Sequence, residues 1–150
     1  MIRKAKITEI PEIRRILAEA AKVGEILPRT LANLYSQMRD YSVYREDEGP
    51  IIAVAALHVS WDDLGEIRSL VVSPDFQGRG LGSQMVRNCL EEARQLGLRK
   101  VFVLTASPNY FERFGFRPFP REQLPPIVWA DCVDCVKFPD CDEIPLILDL

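Results

Sequence analysis

Three glycines alternate in the run Gln77-Gly78-Arg79-Gly80-Leu81-Gly82-Ser83, where an apolar strand pattern hands over to a helical one. The chemistry such a run offers is anion binding by the main chain. Glycine has no Cβ, adopts positive φ freely, and lets neighbouring N–H groups converge on one point. A helix beginning near Leu81 adds N–H groups without intrahelical acceptors and the positive end of its dipole. A pyrophosphate would be held there mostly by backbone, with Arg79 as a charged supplement. A Rossmann fingerprint places its glycines first, third and sixth, after the first strand of a βαβ unit. Here they stand first, third and fifth, Ser83 holds the sixth place, and the turn lies mid-chain. A Walker loop ends Gly-Lys-Ser/Thr, and Gly82-Ser83 supplies no lysine. A turn without a ligand is the bland reading, but one glycine normally suffices for that.

Cys132, Cys135 and Cys141 form a second set, with three cysteines in ten residues. Cys132 and Cys135 have the Cys-x-x-Cys spacing of a zinc knuckle, and Cys141 would be a third ligand. A fourth would have to be Asp131, Asp142, His58, water or another subunit. A redox or disulfide pair is a second reading and plain packing thiols a third; all three stand open. Cys89 reads as core on a helix face. Lys137 reads as a solvated lysine or as a partner for an acidic substrate. His58, the single histidine, reads as structural or as a substrate ligand or base.

The elements that position these residues follow from periodicity. Residues 2–7 alternate apolar and basic and read as a strand; Thr8 then caps a helix with Pro11 in its first turn. Ile13, Ile16, Leu17 and Ala20 share a helical face that Gly24 ends. Leu31, Leu34 and Met38 mark a short second helix. Strands are expected over residues 41–46, 51–59, 66–72, 100–105 and 144–150. A helix over 81–96 carries Leu81, Met85, Cys89 and Ala93 on one face and stops at Gly97. Pro108 opens a short helix that Gly115 ends, and the proline-rich stretch after Arg117 reads as mostly irregular. The sum is an α/β (α+β) chain, a mixed and mainly antiparallel sheet flanked by helices, in a single domain over 1–150.

Composition agrees. At 150 residues, 47% hydrophobic and 27% charged, the chain can bury a core without disulfides or metal. A net charge of -3 argues against a nucleic-acid partner. No apolar run approaches the roughly 20 residues that span a bilayer. The charged start lacks the apolar stretch of a signal segment. These features point to a cytoplasmic protein with reduced thiols and no membrane partner.

On these residues the chain resembles the GNAT N-acetyltransferases. Gln77-Gly78-Arg79-Gly80-Leu81-Gly82 is similar to that family's Arg/Gln-x-x-Gly-x-Gly/Ala acetyl-CoA motif. Leu70-Val71-Val72-Ser73-Pro74 resembles its fourth strand, and residues 109–116 resemble its second acyl-site motif. The resemblance implies the GNAT fold and acetyl-CoA as cosubstrate. It implies that Gln77, Gly78, Arg79, Gly80, Leu81, Gly82 and Ser83 cradle the pyrophosphate. It further implies that the backbone of Leu70, Val71 and Val72 aligns the thioester, with Asn109 and Phe111 contributing from the second motif.

Amine acetylation needs a neutral amine, a polarised thioester carbonyl and a proton for the thiolate. The resemblance makes Glu66 the base and the Val72 N–H the oxyanion donor; a solvated strand carboxylate is the other reading of Glu66. Many members carry a tyrosine acid four residues before the Gly-Phe pair, and Phe111 stands there. Tyr110 lies one residue earlier, about 100° around a helix. The thiolate of coenzyme A, with an ordinary thiol pKa of about 8.5, can leave without much help.

A narrower resemblance is to the acetyltransferase domain of N-acetylglutamate synthases. Gly24-Glu25-Ile26-Leu27-Pro28-Arg29-Thr30 is similar to their Gly-x-Leu-x-Arg loop, Phe102-Val103-Leu104-Thr105 to their fifth strand, and residues 110–116 to their aromatic helix. It implies transfer to a small acidic amino acid, L-glutamate first, as in arginine biosynthesis. Arg29 would then clamp a carboxylate, with His58 beside the substrate; a solvated loop arginine is the alternative. Two departures stand out: the reading expects a short, acetyltransferase-only form without an amino-acid-kinase domain, and the cysteine stretch replaces a segment that supplies glutamate contacts. Another amino acid, a polyamine or a protein N-terminus stays open as acceptor, as does a non-catalytic acyl-CoA sensor. A homodimer is implied by the resemblance alone.

Overall fold

The computed structural model describes residues 1–24, 26–133 and 142–150. Strands β1 (Ile2–Lys4), β2 (Tyr41–Arg45), β3 (Ile51–Val59), β4 (Leu64–Val72), β5 (Lys100–Thr105), β6 (Arg117–Pro118) and β7 (Ile144–Asp149) hydrogen-bond in the order β1-β2-β3-β4-β5-β7-β6. Helices α1 (Ile10–Lys22), α2 (Leu31–Ser36), α3 (Leu81–Leu96), α4 (Pro108–Glu112) and α5 (Pro126–Val133) flank this mixed sheet. Two compact units divide the residues: 1–57 with 67–91, and 58–66 with 92–150.

In the first unit β1, β2 and β3 pair antiparallel, with Ile2 opposite Tyr44 and Tyr41 opposite Ala56. α1 buries Ile10, Ile13, Leu17 and Ala20 in a cluster with Leu34, Tyr41, Val43, Val54, Ala56 and Val71. Those positions recur at helical spacing, and each larger side chain contributes about 2 kcal/mol by leaving water. The stripe of α3 is buried too, at Leu81, Met85, Cys89 and Ala93.

The start of the chain differs from the expectation of a strand over 2–7 and a Thr8 cap. β1 stops at Lys4, and Ile7–Glu9 forms a 3-10 turn that delivers Glu9, not Thr8, to the start of α1. Glu9 is the reason. Its side chain, 6% exposed, takes two nitrogens of Arg3, one of Arg45 and the N–H of Lys6, each at 2.8 Å. Glu12 adds to the knot by accepting the Ile51 N–H at 2.7 Å. The Arg3 guanidinium first, and then the Lys6 N–H and Arg45, hold the Glu9 carboxyl down from 4.5 to about 2. Arg3 is pushed up in return.

In the second unit the start of β4 runs parallel to β5, with Leu64, Gly65 and Glu66 opposite Lys100, Val101 and Phe102. β5 and β7 pair antiparallel along their length, and β6 pairs on β7. β4 starts two residues before the expected Glu66 because the turn closes with Ser60 N–H on the Leu64 carbonyl at 2.8 Å. The stretch after Arg117, expected irregular, contains α5. Prolines misled that reading: Pro126 sits at the first helical position, where a missing N–H costs nothing. α5 places Val128 in a cluster with Leu64, Phe102 and Leu124, with Phe119, Trp129 and Cys132 packed on it.

Candidate functional site

The glycine run is the turn its composition demanded. After β4 a 3-10 turn, Pro74–Phe76, leads into Gly78 and Gly80, which stand at φ +80° and +78° with open space where a Cβ would be. Both lie in the left-handed region that only glycine enters freely. The Gly80 carbonyl takes the first helical bond, from Gln84 N–H at 3.1 Å. The N–H groups of Leu81, Gly82 and Ser83 therefore occupy the first turn of a 16-residue helix, where no intrahelical acceptor exists. Leu81 is anchored in the core while Gly78, Arg79 and Gly80 are exposed. A helix start of this kind can hold an anion, and its size and backbone conformation would fit a pyrophosphate.

Neighbouring groups brace the turn. Gln77 spends its side-chain amide on the Val72 carbonyl at 3.1 Å, which ties the loop to the end of β4. Arg79 lies over the Phe76 ring, its guanidinium carbon 5.2 Å from the centroid. Ser73 N–H reaches the Ile52 carbonyl at 2.8 Å and fixes β4 against β3. Along β4, Val71 is buried in the core while Leu70 and Val72 are half-buried.

Two features of β4 had no sequence signal. Ser69 stands at φ 57° in the middle of the strand, and its buried hydroxyl lies 3.3 Å from that of Tyr41. Arg68 is hydrogen-bonded to the Gln37 side chain, just past α2. Arg29 is half-buried in the connection before α2, whose N-cap, Thr30, accepts the Asn33 N–H at 3.1 Å. Leu70, Val71, Val72, the glycine turn and Arg29 thus belong to the first unit.

Glu66, His58, Asn109 and Phe111 belong to the second. Glu66 is buried, the last β4 residue in the parallel register with β5. His58 is half-buried near the end of β3. Phe111 is buried against Phe116 at 5.7 Å between ring centroids, in the place of the tyrosine that many GNAT enzymes carry. Tyr110 packs on Phe114 and under Arg113, whose guanidinium carbon is 4.8 Å from its centroid. Asn109 is exposed. Cys132 is half-buried in the cluster beneath α5, whereas Cys135, Lys137 and Cys141 lie outside the described residues.

The acetyltransferase (GNAT) family pattern matches residues 10–116, a span that holds β4, the glycine turn, α3 and α4. The chain belongs to the GNAT family. It is 32% identical over 149 residues to an uncharacterized N-acetyltransferase of Chlorobaculum tepidum, covering 99% of this chain and 96% of that one. An amino-acid acetyltransferase of Mycobacterium tuberculosis is 36% identical over 119 residues, 77% of this chain and 67% of its own. Among solved structures, Rv2747 from Mycobacterium tuberculosis in complex with CoA and NLQ superposes with TM-score 0.83 at 29% identity, over 100% of this chain and 99% of that one. The N-acetylglutamate synthase from Neisseria gonorrhoeae complexed with CoA and N-acetyl-glutamate gives 0.89 at 26% identity, over 100% of this chain and 35% of that enzyme. This GNAT protein is an acetyltransferase with acetyl-CoA as its cosubstrate, and no described helix is long and apolar enough to cross a membrane.

Proposed function

We propose that this GNAT enzyme transfers the acetyl group of acetyl-CoA to the amino group of a small acidic amino acid, L-glutamate first. The observation that carries the cosubstrate half is the pair of left-handed glycines at the start of α3. The acceptor half draws on an amino-acid acetyltransferase and an N-acetylglutamate synthase among the relatives, and on Arg29 in the connection before α2.

In this reading the first-turn amides of α3 take the pyrophosphate and the backbone of Leu70–Val72 aligns the thioester. The Val72 N–H stabilises the charge that develops on the carbonyl oxygen, because a preorganised donor costs no reorganisation during reaction. Glu66, directly or through water, accepts the proton of the incoming ammonium. Phe111 has no proton to give, so the thiolate departs on its own modest basicity. Arg29 holds an acceptor carboxylate by its planar fork.

The test is release of CoA thiol from acetyl-CoA across a panel of free amino acids. Saturable release with L-glutamate is the expected result. Arg29→Ala should raise the apparent KM for glutamate about 10- to 100-fold, the scale of hydrogen bonds to a charged group. Glu66→Gln should lower kcat about 100-fold or more with KM little changed. Turnover with a polyamine or peptide and none with any amino acid would overturn the acceptor assignment.

A further inference from the structure

Ser69 is a non-glycine residue held at φ 57° inside a strand. Such a conformation is uncommon for a side chain with a Cβ and persists only where the surroundings enforce it. Within a strand it breaks the ladder locally and re-aims the residues that follow. Those residues are Leu70, Val71 and Val72.

A buried side chain from β2 meets Ser69 there. Tyr41 is 1% exposed and pairs in register with Ala56 of β3. Ala56 offers only a methyl group, so the tyrosine ring lies across β3 and its hydroxyl meets the Ser69 hydroxyl at 3.3 Å. Both groups are buried, Ser69 at 9% exposure, so each is satisfied by the other rather than by bulk water. On the far side of the turned segment, Gln77 holds the Val72 carbonyl and Ile52 takes the Ser73 N–H. The run from Leu70 to Val72 thus lies between hydrogen-bonded points, Ser69 with Tyr41 before it and the Gln77 and Ile52 contacts after it.

We propose that Tyr41 is a positioning residue for acyl transfer: its hydroxyl latches Ser69 in the left-handed conformation and so sets the direction of the Leu70–Val72 main chain. Tyr41 touches no reacting atom; it acts through Ser69. This rests on the reading that the Leu70–Val72 backbone aligns the thioester.

The experiment compares Tyr41→Phe, Ser69→Ala, Ser69→Gly and the double variant Tyr41→Phe with Ser69→Gly. Each is assayed with acetyl-CoA and L-glutamate, and backbone amide exchange at Leu70 and Val71 is followed in parallel. Tyr41→Phe and Ser69→Ala should lose about tenfold or more in kcat with KM for acetyl-CoA changed less than about twofold, since misaimed groups cost rate rather than binding. Amide exchange at Leu70 and Val71 should quicken in both. Glycine takes positive φ without a latch, so Ser69→Gly should keep activity and the double variant should recover it. Unchanged kcat in Tyr41→Phe, or no rescue by glycine, overturns the proposal. If the wild type turns over no L-glutamate, the acceptor assignment fails and the exchange arm still decides. Exchange at Leu70 and Val71 that is the same in Tyr41→Phe as in the wild type then sinks the latch.

Discussion

Replacing Glu9 by glutamine should cost the protein a large part of its stability at neutral pH and little in acid. The carboxyl falls from 4.5 to about 2 in the folded state, chiefly through the Arg3 hydrogen bonds. At about 1.4 kcal/mol per pKa unit, that difference is worth about 3 kcal/mol. A folded domain has only about 5–15 kcal/mol in all, so the effect is visible. The sign follows from linkage. The folded-state value lies below the unfolded one, so the stabilisation is whole above about pH 4.5 and drains away as the pH falls towards about 2. Urea unfolding of wild type and Glu9→Gln at a series of pH values would measure it. With a slope of about 2 kcal/mol per molar urea, the midpoints should differ by about 1.5 M at pH 7 and converge near pH 2. A gap that stays constant across this range would refute the reasoning, because it would assign Glu9 a packing role rather than a charge. Added salt should narrow the neutral gap only in part, since the Glu9 side chain is 6% exposed while Arg3 is 35% exposed.

Other outcomes test other parts of the fold and site. Gly80→Ala should weaken CoA binding about fivefold or more by titration calorimetry, since forcing alanine to positive φ costs about 1–2 kcal/mol and tilts the first-turn amides. The same change should lower Tm by about 2–6 °C, and a gain in CoA affinity would contradict the cradle. Val128→Asp should unfold the second unit's core or cost about 3 kcal/mol or more, while Ile127→Asp should be nearly neutral. That contrast follows from Val128 at 5% and Ile127 at 49% exposure on adjacent residues of α5, and equal effects would deny the helix. Phe102→Ala should cost about 3–5 kcal/mol, read by urea unfolding, because its ring is fully buried beside Leu64 and Leu124.

Periodic and compositional features were legible in the sequence because their causes are local. α3 and its buried stripe, β3 and β5 have the expected bounds, since one run of residues sets both the pattern and the element. The alternating glycines announced positive φ before a helix because no other residue takes that conformation cheaply, and Gly78 and Gly80 have it. Phe111 in place of a tyrosine was equally plain. Decisions made by distant partners were not legible. Nothing around Ser69 calls for a left-handed residue, and its buried hydroxyl partner, Tyr41, stands 28 positions earlier. Thr8 looked like the better cap, yet Arg45, 36 positions on, helps hold the Glu9 carboxylate that makes the 3-10 turn. Prolines spoke against α5, and burial of Val128 against Leu64 and Phe102 overrode them. Sequence by itself determined α3, β3, β5 and the left-handed glycine turn, because dihedral preference and hydrophobic period act within a few residues. Only tertiary structure decided where β4 takes a left-handed residue and which carboxylate is held ionised, because both places are met by side chains far apart in the chain.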